Sequence, residues 1–169
     1  MPLPDAGRAG DPTARLIARL RETGRTIAAA ESLTGGELTA ELTRVPGASA
    51  VVVGGAVVYA TQLKHTLLGV DAALLDAEGP VHPRVAAQLA ERVRARLAVD
   101  ARAVDIGVAT TGVAGPDPQG GRAVGTVYLG IATSTGTRVV ELALEGDRAE
   151  IRRATVERAI AELVAETGA

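Results

Sequence analysis

The sequence predicts an α/β domain of three layers, with helices on both faces of a mixed, mostly parallel sheet of about five strands. Three observations predict it. Segments with apolar residues at helical spacing alternate with short β-branched or alanine-rich runs. Their order reads helix, strand, helix, strand, two helices, three strands, helix, an alternation that calls for parallel strands joined by crossovers. Strands at 125–133 and 138–144 are joined by a short Ser-Thr-Gly turn, which makes them an antiparallel hairpin and the sheet mixed.

The elements follow from local signals. Residues 1–11 are rich in Pro, Gly and Asp and are expected to be a disordered leader, with a single domain over 12–169. Pro12-Thr13 opens a helix with Leu16, Ile17 and Leu20 on one face, ending near Gly24. Residues 26–30 form a short apolar run, hence a buried strand. Glu31-Ser32-Leu33-Thr34-Gly35-Gly36 makes a turn. A helix over 37–43 follows, with Leu38 and Leu42 inward, stopped by Pro46-Gly47.

Residues 49–59 are β-branched and predict a strand, with Gly54-Gly55 marking a bulge or a close backbone approach. Residues 60–68 predict a short helix closed by Gly69. A loop with Gly79-Pro80 leads to a helix over about 83–98, carrying Val85, Leu89, Val93 and Leu97 at helical spacing. A strand at 105–110 precedes a Gly/Pro-rich loop at 111–121. The last helix spans about 147–165. No internal repeat or domain linker interrupts the chain.

Composition narrows the function. The 169 residues are 47% hydrophobic yet hold two Tyr and no Phe or Trp, so the core is aliphatic and no stacking platform for single-stranded nucleic acid is available. A formal net charge of -2 also argues against a nucleic-acid partner. Without Cys, disulfides, thiol nucleophiles and thiolate metal sites are excluded, and two His cannot make a His-rich site. Neither a metal nor a cofactor is expected. No signal peptide or membrane-length apolar stretch is present, so no membrane partner is expected, and a cytoplasmic location suits a Cys-free chain. Among 18 basic residues only Lys64 is a lysine, and lysine, unlike arginine, can lose its proton at physiological pH.

Parallel strands bring their carboxyl ends to one edge, where ligands bind in such sheets. The Ser32 turn, Tyr59 and the Thr111 loop all follow strands. The Ser32 turn reads as a strand-to-helix elbow whose glycines let backbone amides approach an oxyanion or phosphate. Taken alone, the segment reads more plainly as a helix cap followed by a tolerant glycine pair. Tyr59 and Lys64 lie five residues apart, and with no His-Asp pair evident, Lys64 is the base available to a serine nucleophile; a core Tyr with a surface Lys is the plainer alternative. The loop from Thr111 through Gly112 and Gly115 to Gly121 reads as a binding element. Arg148, at the start of the last helix, reads as a phosphate contact or as a solvated residue beside an Asp cap.

Taken together, five stretches in order resemble the CinA C-terminal domain family, which includes PncC-type nicotinamide mononucleotide deamidases. They are Ala30-Glu31-Ser32-Leu33-Thr34-Gly35-Gly36, Val45-Pro46-Gly47-Ala48-Ser49, Gly54-Gly55-Ala56-Val57-Val58-Tyr59 through Lys64 to Val70, Thr111-Gly112-Val113-Ala114-Gly115-Pro116, and Val124-Gly125-Thr126-Val127. The resemblance covers roughly residues 13–165.

The resemblance implies hydrolysis of the carboxamide of nicotinamide mononucleotide to nicotinate mononucleotide and ammonia, in pyridine nucleotide recycling, without metal. It implies Ser32 as nucleophile, Lys64 as base and Tyr59 as proton relay or donor. It also implies Thr111 as a contact near the amide, Thr34, Gly35 and Gly36 as oxyanion or phosphate binders, and Arg148 as a phosphate contact. The partner is then a small nucleotide, and a homodimer is the expected assembly. The loop after Pro116 lacks the Lys-Pro often found before Val-Gly-Thr-Val. Leu33 stands where a Cys is frequent. The form expected is the stand-alone one, without the pyrophosphatase-like domain. Two other functions fit: a nucleotide-binding regulatory module without turnover, and an amidohydrolase for another small amide.

Overall fold

A computed structural model describes residues 10–169. Its elements are α1 (Pro12–Thr23), β1 (Ile27–Glu31), α2 (Glu37–Thr43), a 3₁₀ turn (Ala48–Ala50), β2 (Val52–Val57), α3 (Thr61–Thr66), α4 (Ala72–Glu78), α5 (Pro83–Arg96), β3 (Ile106–Gly112), β4 (Thr126–Ala132), β5 (Thr137–Ala143) and α6 (Arg148–Thr167). Residues 1–9 of the expected leader lie outside the described residues. Asp11, its expected last residue, caps α1 by accepting from the Thr13 and Ala14 amides.

The strands form one sheet in the order β2-β1-β3-β4-β5. β1 pairs in parallel with β2 and β3, while β3–β4 and β4–β5 are antiparallel. Four strands therefore share a direction and β4 runs against them. The connection from β3 to β4 is thus a long hairpin loop, and β3 continues through Thr111 and Gly112 before that loop begins. Both residues had been expected in the loop.

Three layers result. On one face α1, α2 and α6 bury Leu16, Leu20, Leu38, Leu42, Ile160 and Leu163 against Ile27, Ala29, Val108 and Leu129 of the sheet. On the other, α4 and α5 bury Leu74, Leu75, Leu89 and Val93 against Ala28, Ala30 and Ala109. β1 shows the alternation directly: Ile27 and Ala29 face one layer, Ala28 and Ala30 the other. Its five residues are all buried, as a strand covered on both faces requires. α5 lies flush on the sheet because Gly107 and Gly130 present no side chain. A Cβ at either would run into the Ala90 or Ala86 carbonyl oxygen.

Two local readings change. The strand expected over 49–59 is confined to 52–57, because residues 48–50 wind into the 3₁₀ turn after Gly47. α4 had been read as loop. It is seven residues long, capped by the Asp71 side chain on the Ala73 amide, and buries only Leu74 and Leu75. The bulge expected at Gly54-Gly55 is present: Ile27 pairs with Val52 but Ala28 with Gly54, so Val53 is an extra residue in β2. Gly55 is also a close approach, since a Cβ there would collide with the Thr39 side chain of α2.

Candidate active site

Ser32 leaves the end of β1, where its amide still donates to the Thr110 carbonyl at 3.1 Å, continuing the ladder to β3 by one residue. Lys64 comes from α3, which starts four residues after β2 ends. Its ammonium nitrogen lies 3.1 Å from Ser32 Oγ, 2.8 Å from the Val58 carbonyl and 3.5 Å from the Tyr59 carbonyl.

Lys64 is 1% exposed, the largest fully buried side chain among the described residues. Burial pushes its pKa down from 10.5 to about 8, with no opposing carboxylate contributing. A neutral amine has two hydrogens and one lone pair. Here two carbonyl oxygens take the hydrogens, and the lone pair is left for the Ser32 hydroxyl. With a pKa of about 8 roughly a tenth of the Lys64 amine is neutral at pH 7, against well under about a thousandth for an exposed lysine.

The pair forms the floor of a cleft of about 140 Å³. Thr111, Gly112, Gly115, Pro80 and Val81 line it, and the exposed Tyr59 and Arg148 stand at its mouth. Thr111 is 1% exposed and its hydroxyl donates to the Pro80 carbonyl at 2.7 Å, which fixes its rotamer. Arg148 donates to the Gly115 carbonyl and to the Tyr59 hydroxyl, both at 2.9 Å. The Tyr59 hydroxyl thus meets Arg148 at the rim; what Tyr59 shares with Lys64 is its backbone carbonyl.

Seven of the expected residues therefore converge on one cleft: Ser32, Tyr59, Lys64, Thr111, Gly112, Gly115 and Arg148. Thr34, Gly35 and Gly36 do not line it. The Thr34 hydroxyl is buried against the Thr110 hydroxyl at 2.8 Å. The Gly35 amide donates to the Ser32 carbonyl, and the Gly36 amide to the Glu31 carboxylate at 2.9 Å. The amino end of α2 is thus filled by a side chain of the protein, which leaves those glycine amides committed and no opening there for an oxyanion or phosphate.

Sequence reading passed over several residues. Asp117 and Gln119 line the cleft from the β3–β4 loop, whose Gly/Pro content was the signal. Arg152 reaches from α6 to the Leu33 and Thr34 carbonyls at 3.0 and 3.1 Å and pairs with Glu37 at 2.7 Å. Glu31 was read as the first residue of the turn and as part of the first resembling stretch, with no role of its own. Among the described residues no cluster of His, Asp and Glu could hold a metal ion, and no helix is long and apolar enough to cross a membrane.

Comparison with known proteins agrees with this architecture. The family model of the CinA C-terminal domain matches residues 11–167. A competence-damage inducible protein of Geobacillus sp. (strain WCH70) is 50% identical over 139 residues, 82% of this chain and 32% of that protein. A CinA-like protein of Frankia casuarinae is 48% identical over 145 residues, 86% of this chain and 32% of that protein. The chain thus spans 32% of the length of both curated relatives. The crystal structure of competence/damage inducible protein CihA from Agrobacterium tumefaciens superposes with a TM-score of 0.87 at 33% identity, covering 98% of each chain.

Proposed function

The chain belongs to the CinA C-terminal domain family, and from that premise we propose that it is an amidohydrolase that converts nicotinamide mononucleotide to nicotinate mononucleotide and ammonia. The observation that carries the proposal is the buried Lys64 amine 3.1 Å from Ser32 Oγ on the floor of a cleft.

The reaction follows from that pair. Ser32 Oγ attacks the carboxamide carbon while Lys64 takes the hydroxyl proton, a transfer of the kind that contributes roughly 10²–10⁴ in rate. The C–O bond forms and the carbonyl electrons move to oxygen. When the intermediate collapses, the C–N bond breaks and the Lys64 ammonium returns the proton to the leaving nitrogen, which departs as ammonia. The ester left on Ser32 is cleaved by water, with Lys64 again taking and returning a proton. The products are the carboxylic acid and free enzyme.

The other residues bind. With the Gly35 and Gly36 amides committed, the oxyanion donor falls to Leu33, which lines the cleft and whose amide has no acceptor among the described residues. Thr111 offers its hydroxyl oxygen to the carboxamide N–H. Arg148 at the mouth takes the nucleotide phosphate, its guanidinium suiting a bidentate anion.

The test is ammonia release from nicotinamide mononucleotide by wild type, Ser32→Ala and Lys64→Arg, with no added metal. Turnover by wild type and loss by orders of magnitude in both variants supports the reading. A wild type that binds the nucleotide without releasing ammonia makes the chain a binding module. Release from other amides but not from this one keeps the chemistry and changes the substrate.

A further inference from the structure

We propose that Glu31 is a positioning residue for Ser32: by filling the amino end of α2 with its carboxylate, it orients the nucleophile toward Lys64. The proposal rests on the assignment of Ser32 as nucleophile.

Glu31 is 0% exposed and ends β1, directly before Ser32. Its carboxylate accepts four hydrogen bonds. Oε2 takes the Gly36 and Leu38 amides at 2.9 and 3.0 Å; Oε1 takes the Thr39 amide at 2.7 Å and the Thr39 hydroxyl at 2.6 Å. Three of these donors are the free amides that begin a helix, which favour a negative group. A buried carboxylate with four donors is held in one place, since any rotation leaves donors unpaired.

Strand alternation converts that anchor into an orientation. Glu31 follows Ala29 on the face covered by α1, α2 and α6, and the next residue must turn to the opposite face. The opposite side is where α3 presents Lys64. The backbone completes the link: the Val58 amide donates to the Glu31 carbonyl at 2.8 Å, and the Val58 carbonyl accepts from Lys64 at 2.8 Å. The same peptide whose side chain is locked into α2 thus carries the base on one side and the nucleophile on the other. Arg152 holds the Leu33 and Thr34 carbonyls just beyond Ser32, so the elbow is fixed at both ends.

The arrangement does more than fill space. An apolar residue could occupy the volume but would leave three helix amides and a hydroxyl unpaired. Thr39 is itself trapped between Glu31 and Gly55, where β2 leaves no room for a Cβ.

Three variants test this: Glu31→Gln, Thr39→Val and Thr39→Ser, each checked for cooperative thermal unfolding. Two readouts are taken. One is kcat and KM for nicotinamide mononucleotide. The other is the rate of Ser32 phosphorylation by diisopropyl fluorophosphate, followed by mass spectrometry, which needs no substrate. Glu31→Gln is expected to lower kcat and the labelling rate in parallel by about 100-fold, with KM within about 3-fold, as small misplacements of reacting atoms do. Thr39→Val, which removes one of the four donors at unchanged volume, is expected to lower both by about 10-fold, and Thr39→Ser to restore them.

A folded Glu31→Gln with wild-type labelling and kcat overturns the proposal. Should Glu31→Gln fail to fold, unchanged labelling in Thr39→Val overturns it instead. If the wild type labels at Ser32 yet leaves nicotinamide mononucleotide intact, the deamidase reading alone falls, and the labelling ratios still decide the role of Glu31.

Discussion

Tyr59 and Arg148 meet across the mouth of the cleft, hydroxyl to guanidinium at 2.9 Å, although they lie 89 residues apart in the chain. Tyr59 is 58% exposed, and its hydroxyl is the side-chain atom that engages Arg148 at the rim. Replacing it with Phe frees one arm of Arg148 and leaves Lys64 its carbonyl partners. Tyr59→Phe is expected to raise KM for the nucleotide by about 3- to 10-fold, the equivalent of one modest hydrogen bond, with kcat within about 2-fold. Steady-state kinetics checks this. A loss of kcat by 100-fold would make Tyr59 a proton carrier instead.

The rate should report the Lys64 ionisation. The neutral amine is the active form, and burial places its pKa at about 8. The value of kcat/KM is therefore expected to rise about tenfold per pH unit below 8 and to level off above it. A pH–rate profile between 6 and 10 shows the inflection. A flat profile over that range would remove Lys64 as the base.

The same ionisation acts on stability. In the unfolded chain the Lys64 side chain returns to a pKa near 10.5, against about 8 when folded. Between these values the unfolded state holds more protons, so folding is stabilised as pH rises through this window. That contribution is complete above 10.5, is lost as pH falls toward 8, and amounts to about 3 kcal/mol. The difference in unfolding free energy between wild type and Lys64→Met is expected to change by that amount across the window. Denaturant melts at pH 7.5 and 10.5 measure it, with other titrations cancelling in the subtraction.

α5 should be sensitive to methyl groups on the sheet. Gly130→Ala places a Cβ against the Ala86 carbonyl, and Gly107→Ala against that of Ala90. Both are backbone atoms of a helix and cannot turn aside. Each substitution is expected to cost about 1–3 kcal/mol through overpacking, seen as a lower denaturant midpoint at unchanged m.

Much of this architecture is legible in the sequence because it is encoded locally. α2 keeps its expected limits, Glu37–Thr43, since Gly36 precedes it, Pro46-Gly47 follows it, and Leu38 and Leu42 sit one turn apart. α4 was missed because seven residues with two adjacent leucines show no period. Lys64 stood out by composition, but its burial depends on α3 bringing it against Ser32 and the Val58 carbonyl, which no spacing reveals. The glycines after Ser32 looked open to a ligand. Their amides are occupied, that of Gly35 by the Ser32 carbonyl and that of Gly36 by Glu31, which reaches donors five to eight residues ahead along a path that exists only once the turn is formed. The antiparallel placement of β4 beside β3 was likewise hidden by the length of the loop between them.

Val53, the surplus residue in β2, has no side-chain part in the cleft, and the sheet takes up its extra length before the site begins. Val52 already stands opposite Ile27 and Gly54 opposite Ala28, so removing Val53 would close the ladder and leave every later partner in place. Glu31 would still face Val57, seven positions before the lysine. The bulge thus works as a splice in the strand: the chain can lose a residue there without disturbing the spacing that delivers the amine to the hydroxyl.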